Sequence, residues 1–261
     1  MTASCRPTAS RTILRRRAKG VELGTLRKAI IRRLKRHGIT RAPRHLAAFE
    51  AEAARIIDRH GRQGIAEVEA LRAKYAEPIL GEVMVWDLIR CLGEVHDPSD
   101  TQLGSTSQLI HTLNVAAAME NDGVADEDLI VTALIHDTGK LLLTVGEAPE
   151  NVVCMNEPIG EFPPGVGLDN CVFQWNHDEF AYSRYRDHVP EHVAWLIRYH
   201  STYPARCAPL MDARDRDWTE RYLKPFAHYD QDFKSPFRGA ERPLEHWREL
   251  IFDRFPRPIP F

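Results

Sequence analysis

The sequence has no apolar run long enough to cross a bilayer, so no membrane-spanning helix organises it. It also lacks paired cysteines. Cys5, Cys91, Cys154, Cys171 and Cys207 are odd in number, scattered and free of any CxxC spacing, which fits neither a disulfide framework nor a thiolate zinc site. A reducing, cytoplasmic setting is the expectation. No apolar segment follows the first positive charges, as a secretory signal requires. Acids are almost missing from residues 1–45, where Glu22 faces fourteen Lys and Arg; this arm carries +13 and the other 216 residues −15. No aromatic residue interleaves those charges, which weakens a role in holding single-stranded nucleic acid.

What is present reads as helix. Residues 1–20 have the composition of a disordered segment, with an organelle transit peptide as the lesser alternative. Leu23, Leu26, Ile30 and Leu34 then form one stripe of a basic amphipathic helix over Val21–Arg36, suited to the acidic body of its own protein, to an anionic surface or to nucleic acid. After Pro43, helical periodicity resumes from His45 to Tyr75, with a turn at Gly61 and Gly64. A further helix spans Val83–Leu92, and the loop GEVHDPSDTQLGSTSQ at 93–108 breaks the pattern. The reading is all-α, in three parts: the arm at 1–45, a helical extension at 46–86 packed on the core, and the principal domain at 87–261.

Within that domain, polar groups recur on apolar helix faces. The stretch LIVTALIHDTGKLLLTV at 129–145 reads as a buried helix that delivers His136 and Asp137 side by side and breaks at Gly139. By itself the pair could be a core histidine beside a helix cap. His111, His177, within a helix expected over Val172–Tyr185, His200, at the end of a helix opened by Pro190, and Asp230, on a helix starting near Pro225 with Phe226 and Phe233, fall on inward faces too. Four buried imidazoles and two carboxylates are costly unless they share a positive partner. Six nitrogen and oxygen donors exceed one tetrahedral zinc and suit two ions bridged by a carboxylate. Without thiolates, iron or manganese is the more natural metal.

The order His, His-Asp, His, Asp resembles the HD-domain superfamily. The fuller series is most similar to its oxygenase branch, the myo-inositol oxygenase family. The resemblance rests on LIHDTGK at 134–140, GLDNCVFQWNHDEF at 167–180, IRYHSTYP at 197–204, FAHYDQDFK at 226–234 and LIFDRFP at 250–256, and covers Asp87 onward. It implies an HD-type helical bundle around two iron ions in a mixed Fe(II)/Fe(III) state, one held by His111, His136 and Asp230, the other by His177 and His200, with Asp137 bridging. It implies O2 as co-substrate and a small hydroxylated substrate, by default myo-inositol cleaved to D-glucuronate. Lys140 matches a lysine beside the bound substrate, and Ser201, Thr202 and Lys234 match substrate contacts. Met155-Asn156 stands where the family has a Gly-Asp pair, so Asn156 replaces a carboxylate acceptor, and the connection before Gly167 is shorter than in animal relatives. The alternatives are a related oxygenase on another polyol, an amino alcohol or a phosphonate, and an HD phosphohydrolase, for which His111, His136-Asp137 and Asp230 would suffice.

Overall fold

The structure, a computed structural model, describes residues 46–153, 155–232, 234 and 239–261. The basic arm, with its expected amphipathic helix, lies outside the described residues, as do Cys154 and Phe233. Helix α1 (Leu46–His60) and α2 (Ile65–Lys74) are separated by the turn at Gly61–Gly64 that the sequence marks. A short strand β1 (Glu82–Val83) leads into α3 (Val85–Cys91). Then come α4 (Gln108–Asn121), α5 (Glu127–Ile135), α6 (His177–Tyr185), α7 (Glu191–Tyr199), α8 (Pro204–Cys207), α9 (Ala213–Trp218), α10 (Lys224–Asp232) and α11 (Arg248–Arg254). A strand β2 (Ile259–Pro260) pairs antiparallel with β1, so the fold is all-α apart from this one two-stranded ribbon among the described residues.

Local chemistry sets the helix limits. Ser107 caps α4, its hydroxyl accepting from the Ile110 amide, as the run of small polar residues there suggests. Asp126 caps α5, and Val131, Leu134 and Ile135 behind it are fully buried, worth roughly 1.5–3 kcal/mol each. Two expectations need correction. The segment after α5 is not a helix broken at Gly139: a ten-residue 3-10 helix runs from His136 to Val145 and ends at Gly146, whose φ of 86° is left-handed. Residues 172–176 are extended rather than helical, because the Asn176 side chain accepts from the Asp178 and Glu179 amides and so starts α6 only at His177.

α4 packs on α5, and α6 packs both on the 3-10 segment and on α7, so the elements bearing His111, His136, His177 and His200 are neighbours. No helix among the described residues is long and apolar enough to cross a membrane. The 46–75 stretch is bound to the same body through polar contacts: Gln63 bonds the backbone of Trp175 in both directions, and Arg72 reaches Glu179 at 3.0 Å.

The strongest of these ties centres on Glu147, which is buried and accepts from Lys74 at 2.5 Å, from the Tyr75 hydroxyl, from Asn151 at 2.8 Å and from the Ala148 amide at 3.0 Å. Burial alone would raise its pKa, but these donors outweigh it and hold the group at about 2, against an ordinary 4.5. A lowered folded-state pKa means stability that is fully present above about pH 4.5 and is lost as the pH falls toward 2. Glu147→Gln is expected to cost about 1–3 kcal/mol in urea unfolding at neutral pH and to flatten the acid limb of the stability profile between those two values. An acid limb unchanged in the variant would remove Glu147 as its source.

Candidate metal centre

Each candidate ligand sits where a local backbone feature aims it. His111 lies one turn inside α4, His136 and Asp137 open the 3-10 helix, His177 is the first residue of α6, His200 follows the last residue of α7, and Asp230 lies in the last turn of α10. All six are buried. Three rings are fixed from behind by Nδ1 contacts to backbone carbonyls: His136 to Ala133 at 2.9 Å, His177 to Val152 at 2.7 Å and His200 to Ile197 at 2.9 Å. A ring whose Nδ1–H is donated this way turns the Nε2 lone pair to the opposite side.

The Nε2 atoms converge on Asp137 from two directions. Its Oδ2 lies 3.7 Å from His111 and 3.5 Å from His136, while its Oδ1 lies 3.3 Å from His177 and 3.9 Å from His200. Asp230 Oδ1 closes the first group, 2.9 Å from His111 and 3.7 Å from His136. The structure therefore brings together all six residues expected at the centre. Two groups able to hold a metal ion, His111/His136/Asp137 and Asp137/His177/His200, share the one carboxylate.

The charges around them were only partly foreseen. Lys140 is buried with its Nζ about equally close to both Asp137 oxygens, at 3.1 Å, and 3.0 Å from Asp97. Lys234 pairs with Asp100 at 2.8 Å. Asp178, fully buried, stands 2.9 Å from His177 Nε2 and accepts from Ser201 Oγ at 2.5 Å. Asp97, Asp100 and Asp178 escaped the sequence reading. The first two sit in a Pro- and Ser-rich loop that reads as solvent-exposed; the third follows a histidine that drew attention to itself. Burial works against ionised Asp137 and Asp230, but Lys140 and the neighbouring imidazoles for the one, and Lys234 and imidazoles for the other, hold both well below the usual carboxylate range. The same carboxylates hold Lys140 and Lys234 above the usual lysine value despite their burial. Burial pushes the His200 pKa down to about 4, whereas Asp178 and Asp137 overcome it at His177 and take that ring up to about 9.

Asn156, Ser201 and Thr202 are laced together by the main chain: the Asn156 amide donates to Ser201 O at 2.9 Å and the Tyr203 amide to Asn156 O at 3.0 Å. Their side chains have protein partners here. Asn156 donates to Asn176 Oδ1 at 2.9 Å, and the Thr202 hydroxyl donates to Tyr199 O at 2.9 Å.

A cation between these atoms fits three observations. His136 Nε2 and His177 Nε2 are buried without a hydrogen bond, the 2.9 Å approach of Asp178 to His177 being an ion-pair contact without hydrogen-bond geometry. Five carboxylates, Asp97, Asp100, Asp137, Asp178 and Asp230, face two ammonium groups, an excess of negative charge that a dry site does not tolerate alone. Finally, donors that share one ion at about 2.1 Å lie roughly 3.0–3.5 Å from each other, and the separations here, from 2.9 to 3.9 Å, bracket that range. The donors are nitrogen and oxygen only; the free Cys91, Cys171 and Cys207 take no part in either group.

Fold and centre thus define a class, an all-α protein of HD type whose buried imidazoles and carboxylates form two adjoining groups able to hold metal. Sequence comparison narrows it. The family model described as myo-inositol oxygenase matches residues 53–155 and 149–261, beginning well before Asp87, where the motif resemblance starts. A probable inositol oxygenase of Oryza sativa subsp. japonica is 29% identical, covering 74% of this chain and 75% of that protein. Inositol oxygenase 2 of Arabidopsis thaliana is 30% identical with coverage of 74% and 73%, and the inositol oxygenase of Mus musculus is 22% identical with coverage of 75% and 81%. The chain belongs to the myo-inositol oxygenase family, and is an oxidoreductase of the oxygenase type.

Proposed function

We propose that the protein is a non-haem di-iron oxygenase that uses O2 to cleave a C–C bond in a small polyol, with myo-inositol to D-glucuronate as the default reaction. His111, His136 and Asp230 would hold one ion, His177 and His200 the other, and Asp137 would bridge them. The observation that carries this is the division of labour at Asp137, whose two oxygens face two different sets of imidazoles. When bound, the iron pair would acidify a coordinated hydroxyl and relay to O2 the four electrons that the polyol gives up.

The chain's own residues would do the rest. The carbonyl contacts to Nδ1 hold three rings in one tautomer and orientation. Lys140, kept charged by Asp137 and Asp97, places a fixed positive charge beside the bridging carboxylate, where it would stabilise a substrate alkoxide. Phe226, its ring 5.2 Å from that of His136, shields the first group from water. Asn176 Oδ1 is occupied by the Asp178 and Glu179 amides and accepts from Asn156 Nδ2 as well. That fixes the Asn156 amide with Oδ1 turned away, buried and without a partner, as an acceptor for a substrate hydroxyl. A neutral acceptor where the family has a carboxylate still accommodates a polyol and disfavours a cationic amino alcohol.

Anaerobic purification with metal analysis, followed by O2 uptake with myo-inositol and other small alcohols, tests the proposal. Two irons per chain and one O2 consumed per inositol, yielding glucuronate and water, are expected. One iron or none would sink the mechanism, while O2 uptake with a different polyol would move the substrate alone. The double variant His177→Ala/His200→Ala is expected to lose O2 uptake; phosphatase activity that survives in it would favour the phosphohydrolase instead.

A further inference from the structure

A cavity of about 510 Å³ lies against α2 and α6, and none of the candidate metal ligands lines it. Its wall is strongly basic. Arg72, Arg184, Arg186 and Arg198 line it, and Glu179 is the only carboxylate among the lining residues. Glu179 is shared by Arg198 at 2.6 Å and Arg72 at 3.0 Å, and Asp169 also reaches Arg198 at 2.8 Å, so two of the four are answered. Arg186 is exposed and has only a loose contact with its chain neighbour Asp187, at 3.7 Å.

Arg184 is the unusual one. It is 7% exposed, yet no carboxylate among the described residues lies within ion-pair distance of it. Its guanidinium donates instead to the carbonyls of Tyr75 and Glu77 just beyond the end of α2, whose dipole offers roughly half a negative charge. Its Nε has no acceptor. Neither has the indole nitrogen of Trp175, a residue 2% exposed that also lines the cavity. Most of the other buried unpartnered atoms, on Gln108, His136, Asn156, His177 and Asp178, lie in or beside the candidate metal centre, where the proposed cations and substrate would complete them. The wall thus carries more positive charge than is answered: Arg184 has main-chain carbonyls in place of a carboxylate, and Arg186 has only its loose contact with Asp187.

We propose that this cavity is a binding site for a small oxyanion, a carboxylate or phosphate carried on a sugar-sized molecule. The cavity volume is within the range of small-ligand sites. Its walls are stiff: Tyr75 and Trp175 are stacked with centroids 6.0 Å apart, and the Arg198 guanidinium lies 4.7 Å above the Tyr182 ring. The guanidinium fork of Arg186, held only loosely by Asp187, can take two oxygens of the anion at once. The inference does not depend on which reaction the metal centre performs.

Calorimetric titration of the full-length protein as purified, at constant ionic strength, tests it with two probes, inorganic phosphate and D-glucuronate. Saturable binding of at least one is expected, and the tighter of the two identifies the source of the oxyanion. Arg186→Glu, at an exposed position, is expected to leave the unfolding temperature unchanged and weaken binding about tenfold or more. Arg184→Met is expected to abolish it; should that variant not fold, Arg186→Glu alone decides. The proposal is overturned if neither probe binds, if chloride competes equally well, or if Arg186→Glu binds as tightly as the parent, since the anion would then sit elsewhere, as on the metals.

Discussion

Asp137→Asn is expected to lower the metal content by at least one ion per chain and to cut turnover by about a thousandfold or more. The substitution preserves shape, so the effect isolates charge and ligand number. An amide has one oxygen to offer, and Asp137 uses two: Oδ2 toward His111 and His136, Oδ1 toward His177 and His200. Whichever group receives the amide nitrogen gains N–H donors pointed at a cation. Lys140 is not orphaned by the change, because Asp97 remains 3.0 Å away, so loss of metal is not a by-product of a collapsed ion pair. Metal analysis beside O2 uptake checks the result. A variant that keeps both ions and turns over within tenfold of the parent would mean that Asp137 does not bridge.

The helices that carry this centre were legible because their periodicity is produced by burial, and burial is what places His111, His136, His177 and His200 on inward faces. The gap between α1 and α2 was legible from Gly61 and Gly64 for a similar reason: the signal is local. Asp97 and Asp100 were not legible. A loop rich in Pro, Ser and Asp is normally solvated, and only the approach of Lys140 and Lys234 from distant segments makes these two acids part of the interior. The beginning of α6 failed in a comparable way. Phe173 and Trp175 are buried like helix residues, but the side chain of Asn176 competes for the Asp178 and Glu179 amides and wins. The stretch Asn176–Phe180 thus does two things, supplying the ligand His177 and, through Asn176, capping the helix that presents it.

In the sequence Gly139 marks a helix break; the structure gives it a different role with a large consequence. The 3-10 helix runs through it to Val145, and its φ is not left-handed, so the backbone alone would accept alanine. Space would not. A Cβ at Gly139 would stand 2.1 Å from the carbonyl oxygen of His177 and 2.8 Å from its carbonyl carbon, both main-chain atoms at the first turn of α6. Relief requires the segment after His136-Asp137 and the start of α6 to separate by about 1 Å, and the second group of donors is made from exactly these two segments together with His200. Gly139→Ala is therefore expected to destabilise the fold by about 1–3 kcal/mol, to lose the ion between Asp137, His177 and His200 in preference to the other, and to reduce turnover about a hundredfold or more. Gly93→Ala supplies the control, since a Cβ there meets only Leu109 Cδ2 at an ordinary 3.6 Å. If the Gly139 variant bound two ions per chain with unchanged unfolding, the close approach of the two segments would not be what positions His177. If it lost both ions equally, the two groups would not be separable sites, and the assignment of His111, His136 and Asp230 to an ion of their own would have to be abandoned.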